Sequence, residues 1–203
     1  MEDNAIVVAF RGTVNVQNWI ANLDATQVTY QGCSGCLVHQ GFYNAFQSVE
    51  AYLRKNVQTL LALFRDANIF VTGHSSGGGI ATLAALDLKE IFGTVDQFYS
   101  FGQPRVGNEA FANFFTSEIV KRFRVIHYAD IVPHVPPQVP IPYAHFASEI
   151  WYDEKMATYK TCGAEEFKCS KSLLPYQWST YDTDIKQYLK LKPQVSEDNL
   201  MRE

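Results

Sequence analysis

The chain has 203 residues, 47% hydrophobic and 19% charged, with 17 Lys+Arg against 21 Asp+Glu and a net charge of −4. That is the composition of a folded globular chain with enough apolar material for one core, so a single domain over 1–192 is predicted, followed by a solvated tail over 193–203. The longest apolar runs, Ala5–Phe10 and Ile80–Leu88, fall well short of the roughly 18 residues a membrane-spanning helix needs, which excludes a transmembrane segment. With a pI near 5.7 and one short basic cluster, Lys121-Arg122-Phe123-Arg124, no footprint for a phosphate backbone exists, and nucleic acid is excluded as a partner.

Met1-Glu2-Asp3-Asn4 runs directly into a strand pattern over Ala5–Phe10 without a basic segment, apolar segment and cleavage site, so no export signal is expected in the chain as it stands. A helix is predicted over Gly41–Phe64, then a strand over Asn68–Gly73, a helix over Ser76–Phe92, a strand over Val95–Phe101, a helix over Asn108–Val120 and a strand over Arg122–Tyr128. This alternation predicts an α/β fold with a mostly parallel sheet. In the Ser76–Phe92 segment, Ile80, Leu83, Ala84, Leu86 and Leu88 are crowded with small residues, as in a helix lying close against a sheet. The proline-rich stretch Pro133–Pro142 makes no regular ladder and reads as a long surface connection after the last parallel strand.

Gly73-His74-Ser75-Ser76-Gly77 fits G-x-S-x-G between the strand Ile69-Phe70-Val71 and the helix beginning near Ser76. A sharp strand-to-helix turn there forces Ser75 into a strained backbone conformation, for which the flanking glycines leave room. The turn displays the Ser75 hydroxyl above the sheet as a nucleophile, and the Ser76 backbone N–H at the helix start can donate to an oxyanion. The competing readings are an ordinary glycine-rich turn and a phosphate loop, but the Gly-Lys-[Ser/Thr] ending of the latter is missing.

Further segments resemble one family, the class 3 (fungal-type) lipases of the α/β-hydrolase superfamily. They are Ala9-Phe10-Arg11-Gly12-Thr13 with Asn18-Trp19-Ile20-Ala21-Asn22-Leu23, Cys33 to Phe42 with its His39-Gln40-Gly41-Phe42, Tyr99 to Asn108, and Asp130-Ile131-Val132-Pro133. The similarity covers about Ala5 to Trp151, in order. It implies an α/β-hydrolase-like sheet flanked by helices. Because that family's fold begins with further helix and strand elements ahead of Ala5–Phe10, it also implies that N-terminal elements are missing. Thr13 would supply a second oxyanion donor through its backbone N–H. Val14 to Leu23 would form a mobile lid whose apolar flank, Val14, Val16, Trp19, Ile20 and Leu23, lies on a short helix and covers an acyl groove. Asp130, at the carboxyl edge of the sheet after its strand, would be the triad acid, although an Asp before a proline turn is commonly only a turn residue.

The resemblance breaks at the base. A triad needs a histidine to take the serine proton, supplied in this fold after the acid. The family's Asp-His-x-x-Tyr pattern is met here by Asp184-Ile185-Lys186-Gln187-Tyr188, so Ile185 stands where the base is expected, and no histidine lies between Phe146 and Glu203. Of the five histidines, His39, His74 and His145 match other positions of the family, His127 falls within a strand, and His134 would have to double back to reach Asp130. Losing one triad member leaves roughly 10³–10⁴-fold catalysis over water from the oxyanion hole and binding. Ser76 is a second departure, since the family usually has Leu there; its N–H survives, but a polar side chain enters the elbow.

Cys33-x-x-Cys36 alone is compatible with a redox motif, half a zinc site or a small disulfide loop. The resemblance implies two local disulfides, Cys33–Cys36 and Cys162–Cys169, hence the secretory route. Two functions follow from these residues. One is a carboxylic-ester hydrolase of the triacylglycerol-lipase type, needing no cofactor or metal and acting on an acyl-ester lipid or a lipid–water interface. The other is a lipase-fold protein that binds acyl chains without turning them over.

Overall fold

The computed structural model describes residues 4–190, so the predicted tail over 193–203 lies outside the described residues. Six strands form the central sheet: β1 (Ala5–Phe10), β4 (Asn68–His74), β5 (Gln97–Phe101), β6 (Arg122–His127), β7 (Glu149–Tyr152) and β8 (Tyr159–Cys162). They are hydrogen-bonded in that spatial order, parallel from β1 through β7, with β8 antiparallel at the edge. A small antiparallel pair, β2 (Gln27–Thr29) and β3 (Leu37–His39), stands apart. The helices are α1 (Val16–Ala21), α2 (Gln40–Leu63), α3 (Ser76–Phe92), α4 (Glu109–Glu118) and a single turn, α5 (Ile185–Tyr188). The mostly parallel sheet flanked by helices is therefore the architecture observed.

Side chains alternate across the strands, and the two faces have separate cores. On one face Ile69, Val71 and Phe98 pack with Leu83 and Leu88 of α3, Phe42 and Phe46 of α2, and Phe111 and Phe115 of α4. On the other, Phe123, Val125, Ile150 and Tyr152 pack with Tyr188, joined by Tyr99 and Phe101. Helix α3 is buried from Ala81 through Leu88 and over Gly77–Gly79, which is why its sequence shows little polar face. His39 caps α2, its Nδ1 accepting from the amides of Gly41 at 3.0 Å and Phe42 at 3.3 Å.

Two expectations need correction. Strand β6 is not the last parallel strand, because β7 pairs parallel with it, from Arg124 opposite Glu149 to His127 opposite Tyr152. The segment between them is also only partly at the surface. Pro133, His134 and Pro136 are buried, and the guanidinium of Arg105 donates to the carbonyls of His134 (2.7 Å) and Pro136 (2.9 Å), supplying the partners a ladder would have supplied. Among the described residues no helix is long and apolar enough to cross a membrane.

Candidate active site

The sheet register brings the ends of β1, β4, β5 and β6 to one edge, with Phe10 opposite Gly73, His74 opposite Phe101, and Phe101 opposite Val125. The chain turns there from β4 into α3 at Ser75, whose φ of 53° and ψ of −131° lie outside the regions that side chains ordinarily adopt. The turn is held by the Ser75 amide donating to the Phe101 carbonyl at 2.8 Å and by the Gly78 amide donating to the Ser75 carbonyl at 2.9 Å. Close packing leaves no alternative at Gly77, where a Cβ would lie 2.3 Å from the Phe10 carbonyl oxygen and 2.6 Å from that of Arg11. The strained elbow expected from G-x-S-x-G is thus present.

Its hydroxyl is not displayed openly. Ser75 is fully buried and its Oγ has no hydrogen-bond partner. The backbone after β1 covers it, since a Cβ on Gly12 would come within 2.9 Å of Ser75 Cβ. That approach also brings Thr13 to the start of α3, where its amide donates to Ser76 Oγ at 3.1 Å.

Beside the elbow lies a groove of about 800 Å³, lined by Phe10, Thr13, Val16, His74, Phe101 and Ile185 among others, a size suited to a small organic ligand. Helix α1 borders it. Asn15 caps that helix, its Oδ1 accepting from the Asn18 amide at 2.9 Å, and no α1 residue is fully buried. Trp19 stacks on Phe42 with ring centroids 6.2 Å apart, and the Gln17 side-chain amide donates to Thr180 Oγ1 at 3.1 Å. The predicted apolar flank is only partly on this helix. Val14 and Leu23 lie beyond its ends, and Val14 is 85% exposed, because the Asn15 cap starts the helix after it.

Asp130 follows β6 and is fully buried. Its Oδ1 accepts from the Val132 amide at 2.9 Å and from the Thr183 hydroxyl at 2.5 Å; its Oδ2 accepts from the Tyr188 hydroxyl at 2.5 Å. Gly102 makes the room, as a Cβ there would lie 2.4 Å from Oδ2. Burial pushes the carboxyl up to about 6, against the three hydrogen bonds that favour its ionised form. Burial likewise raises the Tyr188 phenol well above its ordinary value.

Among the described residues no histidine is a hydrogen-bond partner of Asp130 or Ser75. His74 lines the groove, and its Nε2 donates to the Thr183 carbonyl at 2.7 Å; burial lowers its pKa, which keeps it neutral near pH 7. His134 stacks on Trp178 with centroids 4.2 Å apart, pushed down to about 4 by burial and by the Arg105 charge. His145 is buried with Nε2 on the Pro133 carbonyl at 2.7 Å. Ile185 opens α5 at the groove, 40% exposed.

The sequence profile described as "Lipase (class 3)" matches residues 7–139. The chain belongs to the class 3 lipase family. It is 42% identical over 154 residues to a secreted mono- and diacylglycerol lipase of Fusarium solani, an alignment covering 74% of this chain and 46% of that protein. It is 36% identical over 181 residues to a lipase of Rhizomucor miehei, covering 86% and 50%. The crystal structure of a lipase from Rhizopus microsporus var. chinensis superposes with a TM-score of 0.83 at 34% identity, over 90% of this chain and 65% of that one. The chain thus spans about half the length of the curated relatives it matches.

Within this class 3 lipase fold both expected disulfides form, Cys33–Cys36 and Cys162–Cys169, with Cα separations of 5.6 Å and 6.3 Å. Thr183 and Tyr188 are the site residues that sequence reasoning missed. Tyr188 could have been found, since it closes the Asp184-Ile185-Lys186-Gln187-Tyr188 pattern; Thr183 carries no such signal.

Proposed function

We propose that this chain is the core of a lipase-type serine ester hydrolase for acyl-ester lipids at a lipid–water interface, in the secretory or extracellular space. Ser75 is the nucleophile, the amides of Thr13 and Ser76 receive the oxyanion, Asp130 is the triad acid, and the segment from Val14 to Leu23 moves to admit substrate. The observation that carries this reading is the Ser75 conformation, φ 53° and ψ −131°, at the start of α3 with an unpartnered Oγ. A backbone strained at one serine persists only where the surroundings over-determine it, and such strain gathers at reactive groups. The relatives named as lipases, two of them by direct alignment, support the substrate class, and the word "secreted" in the Fusarium protein's name supports the compartment together with the two disulfides.

In this reading Ser75 Oγ attacks the ester carbonyl carbon and the carbonyl oxygen takes up negative charge; the hydroxyl proton passes through water to the departing alkoxide, which leaves as the alcohol, and the acyl-enzyme is then hydrolysed by water. The proton-transfer part of the machinery is impaired, because Ile185 stands where the base is expected and the hydrogen bonds to Asp130 come from Val132, Thr183 and Tyr188 rather than from an imidazole. Those contacts favour as the second reading a protein that binds acyl chains without turnover. A fluorophosphonate probe separates the two. Slow labelling lost in Ser75→Ala, with weak hydrolysis of a p-nitrophenyl ester, is the expected result. Labelling that survives in Ser75→Ala would remove Ser75 as nucleophile, and binding of a fatty acid without any Ser75-dependent chemistry would favour the second reading.

A further inference from the structure

A carbonyl oxygen can be received only by donors that are free to turn to it. One of the two proposed donors is already engaged. The Thr13 amide points at Ser76 Oγ, 3.1 Å away, in a hydrogen bond between residues 63 apart in the chain. A serine hydroxyl offers two acceptor sites and one proton, whereas the leucine expected at this position from the family resemblance has no acceptor. The contact is therefore a property of this sequence rather than of the elbow itself.

We propose that the Ser76 hydroxyl is a resident occupant of the oxyanion site, holding the Thr13 amide until a substrate oxygen displaces it. This rests on the reading of Ser75 as nucleophile. Ser76 begins α3 and is half-buried, so its hydroxyl sits at the helix start next to its own amide, the other proposed donor. An incoming ester oxygen must compete with it for the Thr13 N–H. The neutral ester of the ground state accepts weakly and gains little from the exchange. The oxyanion of the transition state accepts more strongly, since a charge-assisted hydrogen bond is about twice as strong as a neutral one, and so it displaces the hydroxyl. The occupant therefore slows attack while leaving ground-state binding nearly unchanged. A neutral intramolecular hydrogen bond has a modest net strength, equivalent to about a three- to tenfold change in rate.

The test compares the full chain with Ser76→Ala, which removes the hydroxyl, and Ser76→Thr, which keeps one. Two quantities are read: the second-order rate of fluorophosphonate labelling, with Ser75→Ala as the reference for site-specific reaction, and hydrogen exchange of the ¹⁵N-labelled Thr13 amide. Ser76→Ala is expected to label about three- to tenfold faster and to exchange the Thr13 amide faster, whereas Ser76→Thr, which keeps a hydroxyl, is expected to keep the Thr13 amide protected. Slower or unchanged labelling in Ser76→Ala overturns the proposal; slower labelling would mean that the hydroxyl instead donates its own proton to the oxyanion. An unchanged Thr13 amide in Ser76→Ala overturns it as well. Loss of Ser75-dependence in every protein would overturn the nucleophile assignment, while the Thr13 amide would still report whether the hydroxyl holds it.

Discussion

The elbow and the segment over 179–190 meet at the same site and are built differently. The elbow stands on β4, flanked in the sheet by β1 and β5, and on the buried helix α3, and backbone hydrogen bonds hold Ser75 in its strained conformation. The other segment is held to the sheet by the Asp130–Ser179 bridge and then by side chains: Thr183 and Tyr188 on Asp130, and the Thr183 carbonyl on His74. In one region geometry is imposed by backbone packing. In the other it is imposed by a few polar contacts from side chains.

The most severe way to break the first region is Gly77→Ala. The added Cβ meets the backbone of Phe10 and Arg11, neither of which can rotate away. A loss of more than about 3 kcal/mol of unfolding free energy is expected, together with fluorophosphonate reactivity. Denaturant melts of the two proteins measure it, and equal midpoints would show that the elbow is not set by this packing.

The second region answers to pH through Asp130. Its carboxyl, raised to about 6 by burial, keeps a proton in the folded chain that the unfolded chain has already released near pH 4. Wild-type stability therefore loses this contribution as pH rises from about 4 through 6. Asp130→Asn has no such proton, so its stability relative to the parent should improve between pH 4 and 7 by about 3 kcal/mol at most. Melting curves at the two pH values check this, and a difference independent of pH would mean that Asp130 is ionised throughout.

The smallest effect sharpens the contrast. Ile185→His places an imidazole at the groove, but the Thr183 hydroxyl already holds the Asp130 Oδ1. Hydrolysis of a p-nitrophenyl ester is expected to rise weakly in Ile185→His and about tenfold further when Thr183→Ala is added, since a positioned general base contributes 10²–10⁴-fold when geometry is good. No gain in the double variant would place the obstacle elsewhere than at Thr183.

What the sequence made legible follows the same division. Strand β1 and helix α3 have the predicted bounds because local pattern and glycine spacing determine both, and α2 and α4 differ from expectation only at their ends. The parallel strand β7 escaped because Glu149-Ile150-Trp151-Tyr152 is short and carries a buried Glu149, which pairs with Arg124 deep in the structure. Ser75 was legible through its neighbours in the chain. The side-chain partners of Asp130 lie 53 and 58 residues away, and the Thr13–Ser76 contact spans 63, distances over which the pattern around Asp130 or Thr13 carries no information.

The Cys162–Cys169 bridge has a consequence beyond joining its two cysteines. The loop it closes carries Ala164, whose carbonyl accepts from Arg124, and Glu165, which pairs with Arg105 at 2.8 Å and accepts from the His145 amide. Both arginines are buried. The bridge is a clasp on a countercharge: opened by a reductant, it frees the loop that gives Arg105 its carboxylate partner and Arg124 one of its carbonyl partners, while Arg124 keeps Glu149. Leaving a buried charge without its partner costs about 3–5 kcal/mol. The electrostatic integrity of the sheet's far side is in this way tied to the thiol chemistry of the surroundings, through a loop distant in sequence from Ser75.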